Sequence, residues 1–337
     1  MNSNKGYYLG LDTSNYTTSA AIVDQAGNII RDERKVLSIR PGERGLRQSE
    51  ALFQHINNLP DIFETLVKDL DRSLIHGISS SDKPRNIPGS YMPVFNAGSS
   101  FAKVVSSALG IPYSAFSHQD GHLQSALYQS DLNPKKEFIA FHISGGTSEI
   151  LKVEGYTNLG FRSNLIGGTK DISYGQLIDR IGVLMGFPFP CGRHMEVFIE
   201  NKMAEKSTGN YYSNDFIKIH LIKDIHIENN HVNLSGVENT FQKLISNLQI
   251  DRVDILMCLF NLISKALIQQ IYQSVHISKY NNLLLTGGVF SNKLIRKTIV
   301  ENKIDNCNII FGQTHLCSDN AVGIALLCLE EIKYYSR

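Results

Sequence analysis

The sequence carries no excess of either charge: 33 Lys and Arg stand against 32 Asp and Glu, a formal net charge of +1. No global basic field therefore draws the chain onto nucleic acid, so any RNA surface has to be local or supplied by a partner. The five cysteines, Cys191, Cys258, Cys307, Cys317 and Cys328, form no CxxC pair. An odd, scattered set argues against a disulfide framework and a thiolate zinc site and fits a reducing compartment. Long hydrophobic runs are missing too, and Met1–Gly6 lacks the apolar core of a signal peptide, which predicts a cytoplasmic chain with no membrane partner. Neither a Walker A sequence nor GxGxxG occurs, so P-loop and dinucleotide sites lose most of their weight. No low-complexity or Pro/Ser-rich linker divides the chain.

What is present is 337 residues of ordinary globular composition, long for one core and comfortable for two. A repeat marks the halves. Tyr7–Leu11 reads as a short apolar strand, Asp12–Thr17 as a polar turn and Thr18–Val23 as a second strand. Phe138–Ile143, Ser144–Gly146 and Thr147–Val153 repeat that pattern, so a β-hairpin opens each half. The surface turn at Asn133–Lys136 places the boundary near residue 133, with domains 1–133 and 134–337. Apolar residues at helical spacing predict a helix from Ser49 to Leu70, with Pro60 kinking or breaking it, and a longer one from Val253 to Val275. Asn282–Thr286 and Asn308–Phe311 read as strands, and a final helix is expected from Ser318–Asp319 through Leu329. Strands alternating with helices predict a layered α/β architecture.

Three turns at strand ends are rich in small residues: Asp12-Thr13-Ser14, Ser144-Gly145-Gly146-Thr147 and Thr286-Gly287-Gly288-Val289. Glycine admits close backbone approach, and successive N–H groups can cradle phosphate oxygens. A carboxylate such as Asp12 can hold a metal-bound water. Each turn alone also reads as an ordinary hairpin bend. His118 and His122 stand four apart, which on a helix puts both on one face where they can chelate one metal. Gln119 occupies the place of the glutamate in HExxH, so a zincin protease is disfavoured. A capped helix start with two solvated histidines is the plainer alternative. Asp319 is a candidate third ligand, or a plain N-cap of the last helix. Two histidines and a carboxylate suit Fe²⁺ or Zn²⁺ alike. Ile178, Ile181 and Leu184 can face a core, leaving Asp179 and Arg180 for a local ion pair or, for Asp179, a ribose.

Taken in order, these motifs resemble the TsaD family, the tRNA threonylcarbamoyladenosine transferases formerly called O-sialoglycoprotein endopeptidases. The resemblance runs from about Leu9 to Ala325. It rests on Leu9-Gly10-Leu11-Asp12-Thr13-Ser14, His118–Leu123, Ser144-Gly145-Gly146, Thr286–Val289 with Ser291-Asn292, and Ser318–Ala321. It implies an actin-like ATPase (ASKHA) fold, two duplicated lobes around a nucleotide cleft. It also implies one divalent ion, Fe²⁺ or Zn²⁺, on His118, His122 and Asp319. An adenine nucleotide (ATP, AMP or threonylcarbamoyl-AMP) would lie along Ser144, Gly145 and Gly146, with Asp179, Gly192 and Asn292 around its nucleoside. The sequence departs from the family at Asn15–Thr18, at Asn86–Pro93 in place of a Gly-Pro-Gly loop, and at Thr147 where a third histidine is usual. Fold and metal therefore carry over more firmly than the reaction.

The activity implied is transfer of threonylcarbamoyl from threonylcarbamoyl-AMP to the exocyclic amine of an adenosine beside the tRNA anticodon. Its implied partners are tRNA and proteins of the same pathway, a related actin-fold subunit among them. No residue is legible as the general base. An idle nucleotide- and metal-binding scaffold, and a small-molecule carbamoyl- or phosphotransferase, are the alternatives. Arg31, Arg34, Lys35, Arg40, Arg44 and Arg47 could meet RNA, although Asp32, Glu33 and Glu43 dilute them.

Overall fold

The computed structural model describes residues 6–14, 16–39, 46–157, 160–206, 223–246 and 250–335. They belong to two compact units: unit 1 is Met1–Lys136, Glu154–Arg162 and His315–Arg337, and unit 2 is Glu137–Val153 and Ser163–Thr314. A single division near residue 133 does not anticipate that Glu154–Arg162 and the C-terminal segment return to unit 1. The reason is packing: the last helix completes one face of the first sheet, as follows.

In unit 1 the strands β1 (Tyr7–Thr13), β2 (Thr17–Asp24), β3 (Ile29–Val36), β4 (Ile75–Lys83) and β5 (Tyr113–Ser117) form a sheet of order β3-β2-β1-β4-β5. The first three are antiparallel neighbours, and β4 and β5 join β1 in parallel. Side chains alternate faces along β1. Leu9 and Leu11 pack with Ile62 and Leu66 of α1 (Gln48–Val67) and Ala102 of α2 (Phe95–Leu109). Tyr8 turns the other way, onto Ala325, Leu326 and Leu329 of the final helix α9 (Val322–Tyr335). Gly10 shares that face, and a Cβ there would overlap the α9 backbone at Ala325. Asp12, the next residue in phase, is thereby delivered to the α9 side of the sheet. Fully buried side chains such as Leu9, Leu11 and Ile22 each stabilise by roughly 1.5–3 kcal/mol.

Unit 2 repeats the plan. Its sheet comprises β6 (Phe138–Ile143), β7 (Ser148–Thr157), β8 (Gly160–Thr169), β9 (Ile227–Glu228), β10 (His231–Val232), β11 (Asn282–Thr286) and β12 (Asn308–Phe311), in the order β12-β11-β6-β7-β8-β10-β9, the end of β7 and start of β8 falling in the Glu154–Arg162 segment of unit 1. β6 and β7 form the antiparallel opening hairpin, and β11 and β12 join in parallel. The run β8-β7-β6-β11-β12 matches β3-β2-β1-β4-β5 strand for strand, so the hairpin repeat is the trace of a duplicated domain. Helix α7 (Arg252–Ser278) supplies Leu256, Leu259, Phe260, Ile263, Leu267 and Ile271 to the core, joined by α4 (Tyr174–Leu184), α5 (Cys191–Lys206), α6 (Ser235–Ile245) and α8 (Lys293–Glu301). Among the described residues α7 is the one helix long and apolar enough to cross a membrane, and it is largely buried in this core.

Three local expectations change. Pro60 neither ends nor splits α1, because it and Ile56 sit on the exposed side where water can meet the carbonyl left without its donor. The last helix begins at Val322, not near Asp319: Asn320 Oδ1 accepts from Val322 N at 3.0 Å, so the cap lies one residue beyond the expected one. Leu184 is exposed, and Arg180 pairs with Glu238 (2.9 Å) rather than with its neighbour Asp179.

Helix α3 (His118–Ala126) meets α9 at two glycines, and a Cβ on Gly323 would overlap the Gly121 carbonyl. Gly323→Ala should lower the unfolding free energy by about 1–3 kcal/mol through overpacking. Gly236→Ala, in exposed α6 with nothing within 4 Å of a new Cβ, should cost nothing and add up to about 1 kcal/mol. Urea denaturation of the two variants checks the contrast.

Candidate metal centre and nucleotide-binding turns

Helix α3 starts at His118 because Ser117 and Asp120 cap each other. Ser117 Oγ accepts from Asp120 N (3.1 Å), and Asp120 Oδ2 accepts from Ser117 N (3.0 Å). Asp120 Oδ1 also accepts from Phe161 N (2.8 Å), which ties the cap to the rest of unit 1. So anchored, the helix presents His118 and His122 one turn apart, their ring centroids separated by 4.4 Å. Asp319 approaches from the loop before α9, a loop folded by Asn320 Nδ2 donating to Leu316 O (3.0 Å) and Ser318 O (2.8 Å).

Donor atoms of His118, His122 and Asp319 all lie within 4.8 Å of one another. Nε2 of His122 is 3.0 Å from Nε2 of His118 and 3.4 Å from Asp319 Oδ1, which is 3.7 Å from His118 Nε2. Two imidazole nitrogens cannot face each other as bare lone pairs, so a hydrogen or a cation lies between them. His118 Nδ1 is 2.8 Å from Asp12 Oδ1. A carboxylate only accepts, so Nδ1 carries the hydrogen and Nε2 is turned inward as the ligand atom. Asp319 Oδ2 accepts from Ser14 Oγ (2.9 Å), leaving Oδ1 for the histidines.

The electrostatics point the same way. Burial disfavours a charged His118, but the Asp12 charge and hydrogen bond, with Asp319 behind, outweigh it and push the pKa to about 9. Burial would raise Asp319, yet the His122 hydrogen bond, the two histidine charges and Ser14 hold it well below the usual carboxylate range. The buried Asp12 and the partly exposed Asp319 carboxylates thus favour positive charge in the cluster, from a proton or a cation. Asp12 Oδ2 is buried and has no hydrogen-bond partner among the described residues. Two imidazoles and a carboxylate fit a divalent ion such as zinc or iron(II), with Asp12 behind His118 as the group that orients it.

The remaining sequence-derived residues lie in unit 2. The Ser144–Gly146 turn closes the β6–β7 hairpin, with Ser144 N donating to Thr147 O (2.7 Å) and Thr147 N to Ser144 Oγ (3.2 Å). Ser173, the N-cap of α4, donates to Gly145 O (2.6 Å), and Gly175 packs against Ser144 and Gly145 so closely that a Cβ would overlap. The turn therefore rests on a helix N-terminus, the positive end of its dipole. Gly145 and Gly146 are exposed, and a Cβ on either meets nothing within 4 Å. Gly287, at φ 101°, packs against Ile143 and seats the Thr286–Val289 turn beside this one.

Asp179 Oδ1 accepts from Cys191 N (2.7 Å) at the start of α5; burial raises its pKa and that hydrogen bond opposes the rise. Gly192 follows in the first turn of α5. Asn292 caps α8, its Oδ1 accepting from Leu294 N (3.0 Å) and Ile295 N (3.1 Å). Its Nδ2 is buried without a hydrogen-bond partner among the described residues. Glu196, not singled out in the sequence, is buried one turn after Gly192, takes Lys293 N at 2.9 Å and pairs with Arg193, so it joins α5 to the α8 start. Its spacing of four from Gly192 was the available signal. Two of the six basic residues are structural: Arg31 donates to the carbonyls of Thr65 and Leu66 at the end of α1, and Arg34 is held by Asp32. Arg40 and Arg44 lie outside the described residues, as does Asn15.

Among solved structures the chain is similar to HypF of T. kodakarensis (TM-score 0.56, 14% identity), covering 99% of this chain and 48% of that one. It is also similar to the activator of the 2-hydroxyisocaproyl-CoA dehydratase from Clostridium difficile (TM-score 0.52, 16% identity, 98% and 97% covered). These likenesses, with the duplicated topology, establish the actin-like ATPase fold. Curated relatives named tRNA N6-adenosine threonylcarbamoyltransferase include those of Neorickettsia sennetsu (26% identical, covering 98% of this chain and 95% of the relative) and Desulfotalea psychrophila (27%, 94% and 90%). The family profile described as tRNA N6-adenosine threonylcarbamoyltransferase matches residues 36–326. The chain therefore belongs to the TsaD family.

Proposed function

We propose that this chain transfers a threonylcarbamoyl group from threonylcarbamoyl-AMP to the exocyclic amine of an anticodon-adjacent adenosine in tRNA. The observation that carries the reading is the convergence of His118, His122 and Asp319, with Asp12 behind His118, in a chain matched by the family profile over residues 36–326. The amine nitrogen forms a bond to the carbamoyl carbon, the bond from that carbon to the AMP phosphate oxygen breaks, and the amine proton is lost. His118, His122 and Asp319 would hold a divalent ion, iron(II) or zinc, which would supply Lewis acidity for the transfer.

The chain's own residues orient the reactants. Backbone N–H groups of the exposed Gly145 and Gly146 are suited to the phosphate, helped by the α4 N-terminus. The buried Asn292 Nδ2 is a donor awaiting an acceptor on the nucleoside, since a buried amide left unbonded costs about 1–3 kcal/mol. Asp179 spends one oxygen on α5 and keeps the other for a ribose hydroxyl. RNA contacts fall to residues beyond Arg31 and Arg34 and to partner proteins of the pathway, a related actin-fold subunit among them, in the cytoplasm.

Purified chain supplied with threonine, bicarbonate, ATP, the adenylate-forming enzyme, pathway partners and unmodified tRNA should form threonylcarbamoyladenosine, read by mass spectrometry of the nucleosides. His118→Ala should reduce the yield by more than about 100-fold, beyond the usual cost of altering groups outside the coordination shell. Metal and AMP binding without modified tRNA would select an idle scaffold instead, and turnover of a small acceptor without RNA a small-molecule transferase.

Asn292→Asp separates folding from nucleotide binding. It keeps the capping oxygen of α8 while removing the amide donor. AMP affinity measured by calorimetry should fall about tenfold or more, with unfolding free energy within about 1 kcal/mol of the parent. Unchanged AMP affinity would remove Asn292 from the nucleotide site.

A further inference from the structure

Helix α1 carries a histidine where its pattern calls for an apolar residue: His55 is fully buried. Both ring nitrogens are used. Nε2 lies 2.7 Å from the Ser14 carbonyl oxygen, and Nδ1 lies 2.8 Å from Thr18 Oγ1. A carbonyl only accepts, so Nε2 carries the hydrogen and Nδ1 accepts from the Thr18 hydroxyl. The Thr18 oxygen in turn accepts from Asn58 Nδ2 (3.2 Å), one turn along α1. Burial, only partly offset by the bond to Ser14 and the charge of Asp12, lowers the His55 pKa and keeps this tautomer neutral. Donation therefore runs one way, from Asn58 through Thr18 and His55 to the backbone of Ser14. Ser14 is the residue whose hydroxyl holds Asp319 Oδ2 at 2.9 Å.

We propose that His55 is a positioning residue for the metal centre: by fixing the Ser14 backbone it aims the Ser14 hydroxyl at Asp319 and so sets the oxygen that faces His118 and His122. Leucine would fill the space without polar groups to satisfy, so a histidine there costs desolvation that its bonds to Ser14 and Thr18 offset. Ser14 follows β1 directly and precedes the turn to β2, so its carbonyl has no place in the β1–β2 pairing, which ends at Thr13 and Thr18. His55 supplies the donor that the sheet does not.

The proposal rests on the cluster being a metal site, and Co²⁺ tests both separately. The parent chain should take up about one equivalent of Co²⁺ with d–d absorption, and His118→Ala should not; failure of either result removes the metal reading and the proposal with it. Given that result, His55→Leu should bind Co²⁺ about tenfold more weakly, the lower end for residues that orient ligands, with a shifted d–d spectrum. His55→Gln, whose amide can still donate to Ser14 O, should restore both, whereas His55→Asn, too short to reach, should not. Ser14→Ala should lose as much as His55→Leu, and the double variant no more than either, because both act through one contact. Parent-like affinity and spectrum in folded His55→Leu, equal behaviour of the Gln and Asn variants, or losses that add in the double variant would each overturn it. Circular dichroism establishes which variants are folded, and the Gln–Asn comparison stands even where leucine is not tolerated.

Discussion

The contact between Gly121 and Gly323 is the constraint on which the candidate metal centre depends. Ligands from sequence positions two hundred residues apart converge only because α3 and α9 approach until backbone meets backbone, with no room for a Cβ. That approach is built from both sides. The Ser117–Asp120 capping box fixes where α3 begins, and Gly10 lets α9 lie against β1, whose phase puts Asp12 on the same face. Side chains of His118, His122, Asp319 and Asp12 are thus consequences of helix–helix and helix–sheet packing.

Packing of this kind concentrates charge, which explains why the cluster reads as a cation site rather than as a knot of ion pairs. Burying carboxylates is costly unless positive charge accompanies them. Ordinary proteins supply an Arg or Lys, and here Arg34, the nearby candidate, is committed to Asp32 and to Ser318 Oγ (2.9 Å). The charge left to balance Asp12 and Asp319 falls on His118 and His122, whose Nε2 atoms point at each other. Imidazoles can share such a position with a metal without carrying a proton themselves.

Much of the fold was legible because its signals are local. The opening hairpins, the apolar stripe of α7 and the strand Asn282–Thr286 follow from periodicity over a few residues. The pairing of His118 with His122 follows from helical spacing alone. What was not legible depends on partners far away in sequence. The start of α9 shifts to Val322 because Asn320 folds back on Leu316 and Ser318. Arg31 looked free for RNA until it met the end of α1, and Leu184 continued a helical stripe past the core it was meant to face. Glu196 and His55 are buried polar residues in helices that carry many exposed ones, so nothing local marks them out. Their importance comes from Lys293 and Ser14, which no spacing rule connects to them.

One difficulty in the sequence, the choice between a capping role and a ligand role at the same residue, dissolves in the structure. Asn292 uses Oδ1 to cap α8 and presents an unpartnered Nδ2. Asp179 uses one oxygen to start α5, Asp12 uses one to orient His118, and Asp319 gives one to Ser14 and the other to the histidines. Amide and carboxylate side chains have two heteroatoms, so the atom that organises the backbone fixes the direction of the atom that remains. A group held in this way loses little conformational freedom when a ligand arrives. A structural role for one atom at these positions therefore does not exclude a functional role for the other.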